Sequence, residues 1–209
     1  MSAASPAGPD GIGEETRTRI LHSALRLFAG LGYDATTTEM IADAAGVAPE
    51  TVMEAGGKRG LYYASLDLTR DALREITHRT LEEVPRDREG LHRLFDRHLD
   101  FFFEHPESLF LWTHRALSDA ADLTDIEERY ATPIWEAVAD AFGGSDLVND
   151  DEYRLRMHVI DWTLRGFVVG GLRRADGTVA GLDDPRAREL FRAYLHRLLD
   201  VLPDPPRPG

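Results

Sequence analysis

Cysteine is absent from the 209 residues, which removes disulfides, thiolate nucleophiles and cysteine-held metals at once. No apolar run approaches the roughly 20 residues that a membrane-spanning helix needs. Positive charge is scarce: 37 Asp and Glu face 24 Lys and Arg, the formal net charge is −13, and Lys58 is the single lysine. Catalytic signatures are missing too. There is no His-Glu-x-x-His, no Gly-x-Ser-x-Gly and no phosphate-binding glycine loop. A di-iron bundle needs two Glu-x-x-His motifs, and Glu75–His78 supplies one with no second. His92, His98, His105 and His114 lie near one another in the chain without tight metal-ligand spacing. Neither catalysis nor a cofactor or metal is expected.

What remains is an ordinary globular composition, 43% hydrophobic and 29% charged, long enough for one large domain or two small ones. The opening MSAASPAGPDGIG lacks the charged-then-apolar plan of a secretion signal, so residues 1–13 read as a flexible tail and a cytoplasmic protein is expected. The most informative stretch runs from Thr36 to Leu66. Thr36 and Glu39 fit a capping box that opens a helix. Ile41, Ala44 and Ala45 give that helix an apolar face, and Gly46 stands where a helix end wants positive φ. Pro49 suits the first position of a second helix, which can run only to about Ala55 before Gly56 and Gly57. Two short helices around a glycine turn form a helix-turn-helix, whose second helix enters a DNA major groove. On that helix Pro49, Glu50, Thr51 and Glu54 can reach outward while Val52 faces in.

Helix Glu14–Gly30, then Gly32-Tyr33-Asp34-Ala35-Thr36-Thr37, then Ile41-Ala42-x-x-Ala45-Gly46-Val47 and the later pair Lys58 and Leu61, resemble the amino-terminal domain of TetR-family transcriptional regulators. About fifty residues carry the resemblance. It implies that Lys58 contacts a DNA phosphate, with hydroxyl contacts to the backbone from Thr36, Thr37 and Thr38. This chain departs from the family pattern inside the recognition helix. Met53, Ala55 and Gly56 stand where a Tyr, a His and an aromatic are usual, and Ala48 replaces the usual N-cap serine. Met53 therefore joins Pro49, Glu50, Thr51 and Glu54 on the presumed DNA face without the usual phosphate anchor. The head segment 14–66 holds five basic residues against seven acidic ones, although affinity depends on the charges at the contact face.

The remainder reads helical throughout, with no alternating strand pattern, for about nine helices in an all-α protein. A linking helix runs from Leu61 to Leu81, and Arg86–Gly90 forms a polar connector. Later helices cover about 91–105, 106–118, a stretch opened by a second capping box at Thr124 and Glu127 and closed by Gly143-Gly144, then 150–174 and 185–202. Helix 150–174 is apolar nearly all round, and Gly166, Gly170 and Gly171 leave room for another backbone. The resemblance assigns the last two helices to a homodimer interface. Residues 67–203 then form an effector-binding and dimerisation domain, followed by a tail at 204–209.

Aromatic residues concentrate in this body. Phe102, Phe103, Trp112, Trp135 and Trp162, with Arg115 and His158, are the candidate pocket residues, and His158 one turn before Trp162 is the favoured pair. Thr113, His114, Asp161 and Arg165 are further polar candidates, although Asp161 and Arg165 also fit a surface ion pair. The resemblance implies a repressor that leaves a palindromic operator when a small hydrophobic effector binds. The alternative is a helical small-molecule sensor or partner-binding protein without DNA binding, favoured by the missing anchors, Glu54 and the acidic head.

Overall fold

The computed structural model describes residues 12–142 and 149–201. Among the described residues the chain forms nine α-helices and one small hairpin. The head comprises α1 (Glu14–Leu31), α2 (Thr38–Ala45) and α3 (Pro49–Glu54). The body comprises α4 (Gly57–Glu83), α5 (Arg88–Glu104), α6 (Glu107–Ala116), α7 (Thr132–Phe142), α8 (Asp151–Gly170) and α9 (Pro185–Leu199). A π turn at Glu127–Ala131 leads directly into α7, and strands β1 (Leu172–Arg173) and β2 (Val179–Ala180) pair antiparallel between α8 and α9. None of the described helices is long and apolar enough to cross a membrane.

Local chemistry explains the head's boundaries. The cap of α2 is Thr37, whose side chain accepts from the Met40 amide at 3.2 Å, and not Thr36 as expected. Thr36 is buried and donates its hydroxyl to the Gly32 carbonyl at 2.7 Å. The Glu39 carboxyl is held below its ordinary range by its own backbone N–H and by the Thr37 hydroxyl, so the expected capping box of Thr36 with Glu39 does not form and the cap lies one residue later. Gly46 ends α2 at φ 66, ψ 42, and Pro49 opens α3. Ala48 occupies the N-cap of α3 without any side-chain hydrogen bond.

Two apolar clusters fill the interior. The head cluster joins Ile20, Phe28, Ile41, Val52, Tyr62 and Leu66 to Leu111, Leu123, Ile126 and Tyr130, so α6 and the π turn complete the core of the head. The body cluster is built on Leu94, Leu99, Val138, Ile160, Phe167, Phe191 and Leu195. The long helix α4 contributes to the first cluster at its start and lines the body further along.

Several expectations about the body are corrected. The segment after α8 is not helix to about residue 174. Gly171 (φ +63) turns the chain into the hairpin, where an added Cβ would stand 2.7 Å from the Ala180 carbonyl. Within the chain only this member of the three glycines meets another backbone; Gly166 and Gly170 face open space. The capping box at Thr124 does not form, because Glu127 binds Arg115 instead. The connector is shorter than Arg86–Gly90: Asp87 caps α5 by accepting from the Gly90 amide at 3.0 Å. The proposed stop at Gly143-Gly144 and the tails at 1–11 and 204–209 lie outside the described residues.

Candidate DNA-contact face and effector pocket

The recognition helix presents Pro49, Glu50, Met53 and Glu54 to solvent, with Thr51 partly exposed and Val52 fully buried. At the start of α2, Thr37 is exposed and Thr38 partly so, whereas burial takes Thr36 out of the candidate contact face. Lys58, in the first turn of α4, lies beside this face. Its ammonium donates to the Asp34 carbonyl at 3.3 Å and sits 4.2 Å above the Tyr33 ring. That geometry holds the charge at the head's edge with part of its hydrogen-bonding capacity unspent. Arg19, by contrast, is committed to packing α1 on α2, since its Nε donates to the Ala45 carbonyl at 2.9 Å. Tyr33 is buried against Phe28 and Tyr62 at 6.0 and 4.8 Å between ring centroids, so it serves the core.

The body contains a cavity of about 440 Å³, partly open to solvent, between α4, α5, α6, the π turn, α7 and α8. Phe102, Trp112, Arg115, Trp135, His158 and Trp162 all line it. Phe103 does not. It packs half-buried against the stacked pair Phe167 and Phe191, at 5.9 and 6.4 Å, on the body core. The His158 ring meets the edge of Trp135 at 4.6 Å and stacks with Trp162 at 5.8 Å, so the favoured pair forms one aromatic wall. Thr113 and His114 point elsewhere. Thr113 donates to the Leu109 carbonyl, and His114 Nε2 bonds the Ala29 carbonyl of α1 at 3.0 Å.

Asp161 and Arg165 are not a solvated surface pair. Their side chains are 29% and 17% exposed and both line the cavity. Burial raises the Asp161 carboxyl above its ordinary value despite the opposing pull of Arg165. Arg165 also donates to the Trp112 carbonyl at 3.0 Å, while its Nε is buried without a partner. Sequence reasoning missed Arg154, Glu127 and Tyr130 as wall residues. Arg154 could have been found four residues before His158 on the same helical face. Glu127 carried no such signal, because its partner Arg115 comes from another element.

His98 lies in the same wall, buried, with Nε2 3.0 Å from the Thr77 hydroxyl. Burial disfavours its charged form and pushes it down to about 4. An unfolded chain would therefore take up a proton near the ordinary histidine value while the folded one stays neutral. Stability from this group is present above about pH 6.5 and falls as pH drops toward 4, by about 3 kcal/mol in total. Urea unfolding of wild type and His98→Gln at pH 7 and pH 4 checks this: the wild type loses about 3 kcal/mol more than the variant. No group of three or more potential metal-ligand side chains occurs among the described residues.

A three-helix head with an exposed second helix of a helix-turn-helix is thus carried on a helical body with a lined cavity. Residues 20–55 match the family model described as bacterial regulatory proteins, tetR family. The fold is similar to that of a TetR-like transcriptional regulator from Rhodococcus sp. RHA1, at TM-score 0.63 and 18% identity over 92% of this chain and 100% of that one. It is also similar to the TetR family transcriptional regulator PfmR from Thermus thermophilus, at TM-score 0.62 and 20% identity over 90% and 97% of the two chains. The ketosteroid transcriptional regulator KstR2 of Mycobacterium tuberculosis aligns at TM-score 0.61 and 19% identity over 91% and 96%. No curated protein matches the chain in sequence. The chain thus has a TetR-family head and, over nearly its whole length, the fold of the TetR-family transcriptional regulators.

Proposed function

We propose that this protein represses transcription by binding a palindromic operator as a homodimer, and that an effector in the body cavity releases it. The observation that carries this reading is the sharing of one helix, α4, between the two sites. Lys58 in its first turn stands at the DNA-contact face, and Thr69 and Leu73 further along line the cavity. A helix is stiff, so a ligand that displaces the body end of α4 moves the head end. The effector must bind the released conformation more tightly than the DNA-bound one.

The cavity favours a mostly apolar ligand with one acidic group. Its walls are largely aromatic and aliphatic, and its two carboxylates are already neutralised by Arg115 and Arg165. Arg154 lines the same cavity with no side-chain hydrogen bond or ion pair among the described residues. The dimer is supported by a stripe on α8, Leu155, Val159, Trp162 and Val169, all exposed, with Gly166 opening onto free space among them. Leu190 and Tyr194 are exposed apolar residues on α9.

Titration into DNA from immediately upstream of the protein's own gene, with unrelated DNA as control, tests the reading and the part played by Lys58. Lys58→Ala weakens binding to both DNAs and lowers the slope of log affinity against log salt by about 0.9 for each lysine removed from a phosphate. An unchanged affinity with an unchanged slope would take Lys58 out of the contact face.

A further inference from the structure

Between α6 and the π turn the backbone enters the left-handed region at two residues that carry a Cβ, Ser118 (φ 70) and Ala120 (φ 54). Such conformations persist only where neighbouring contacts hold them. Contacts hold this turn from both sides. On the cavity side, Arg115 donates to the two carboxylate oxygens of Glu127 at 2.8 and 2.9 Å and also to the Ala120 carbonyl. Arg115 and Glu127 both line the cavity. On the head side, Asp119 accepts from the backbone amides of Tyr33 at 2.6 Å and Asp34 at 2.8 Å. Gly32, at φ +85, makes room for that carboxylate, since an added Cβ would stand 3.0 Å from its Oδ1. Asp34 in turn gives its carbonyl to Lys58.

We propose that the turn Leu117–Ala120 is a latch through which the cavity positions the DNA-contact face, with Asp119 as the positioning residue. This rests on reading the cavity as the effector site. A ligand group that takes Arg115 from Glu127, or Glu127 from Arg115, removes the cavity-side support of Ala120. The turn then relaxes toward ordinary backbone angles and Asp119 leaves the Tyr33 and Asp34 amides. The α1–α2 turn, and Lys58 with it, loses its fixed position. Linkage works in the other direction as well: DNA that engages Lys58 favours the latched turn and so disfavours the ligand. The strained turn supplies the two-state element that such coupling requires.

Amide hydrogen exchange on the full chain, without DNA or effector, tests the latch. Asp119→Ala speeds exchange at Tyr33 and Asp34 at least tenfold. Glu127→Gln, which touches neither residue, speeds the same two amides at least threefold. The double variant exchanges no faster than Asp119→Ala, because both act through one turn. Wild-type rates at Tyr33 and Asp34 in Glu127→Gln would overturn the proposal, as would effects that multiply in the double variant. The Phe28 amide inside α1 is the reference for general unfolding, and an equal rise there would also overturn the latch. Asp119→Asn keeps one acceptor oxygen and slows the exchange of at least one of the two amides relative to Asp119→Ala. The latch stands or falls on these rates alone, whatever a DNA titration gives.

Discussion

Replacing Tyr62 with alanine is expected to lower folding stability by about 3–5 kcal/mol, the range for a large aromatic removed from a close-packed core. Tyr62 is 1% exposed in the second turn of α4. Its ring meets Phe28 of α1 edge-on at 5.2 Å and Tyr33 of the α1–α2 turn at 4.8 Å. The ring therefore holds α4 to α1 and to the α1–α2 turn. Burial raises the phenol above its ordinary value, so it is a neutral group at pH 7. Tyr62→Phe, which keeps the ring, is expected to stay within about 1 kcal/mol of wild type. Urea midpoints at constant slope give both numbers. A Tyr62→Ala loss below about 1 kcal/mol would mean that the trio is not what joins the head to α4.

The second large effect is on assembly. Val159 and Leu190 are exposed apolar residues, on α8 and α9, the two helices of the proposed dimer surface. In a two-fold interface each residue occurs twice, so Val159→Glu with Leu190→Glu buries four carboxylates without partners. The doubly substituted protein is expected to be a folded monomer. A dimer binds its second half-site as an intramolecular event, and losing that advantage should weaken operator binding by about 10²–10⁴-fold. Light scattering during gel filtration gives the mass, and the DNA titration gives the affinity. A dimer that survives both glutamates would place the interface elsewhere.

The head was legible because each of its signals is local. Gly46, Pro49 and Val52 announce a helix end, a helix start and an inward face by residue type alone, and the structure places each so. What escaped depended on contacts between distant segments. Thr36 and Thr37 are the same residue type side by side, and only the backbone decides which one caps α2 and which one turns inward to Gly32. Phe102 and Phe103 are likewise adjacent, but neighbours on a helix point about 100° apart, so one lines the cavity and the other packs against Phe167 and Phe191. Glu127 sat at correct capping distance from Thr124, yet a bidentate arginine from α6 is a stronger partner than one exposed amide. The spacing of Asp161 and Arg165 was readable, whereas their burial depends on how α6 and α7 close over α8. The hairpin of two-residue strands is too short to leave any alternation in the sequence. Asp119 carried no pattern at all, since its partners are backbone amides 85 and 86 residues away.

The most direct test of sequence-specific DNA binding is selection from a pool of random DNA by the purified protein, followed by titration of the enriched sequence at several salt concentrations. One enriched palindrome is expected, with half-site centres about one helical turn, or a multiple of it, apart. Its binding is expected to be at least about 10³-fold tighter than that of unselected DNA at physiological salt. No enriched sequence, with equally weak and strongly salt-dependent binding to every DNA in the pool, would contradict it and leave the head a helix-turn-helix that no longer reads an operator.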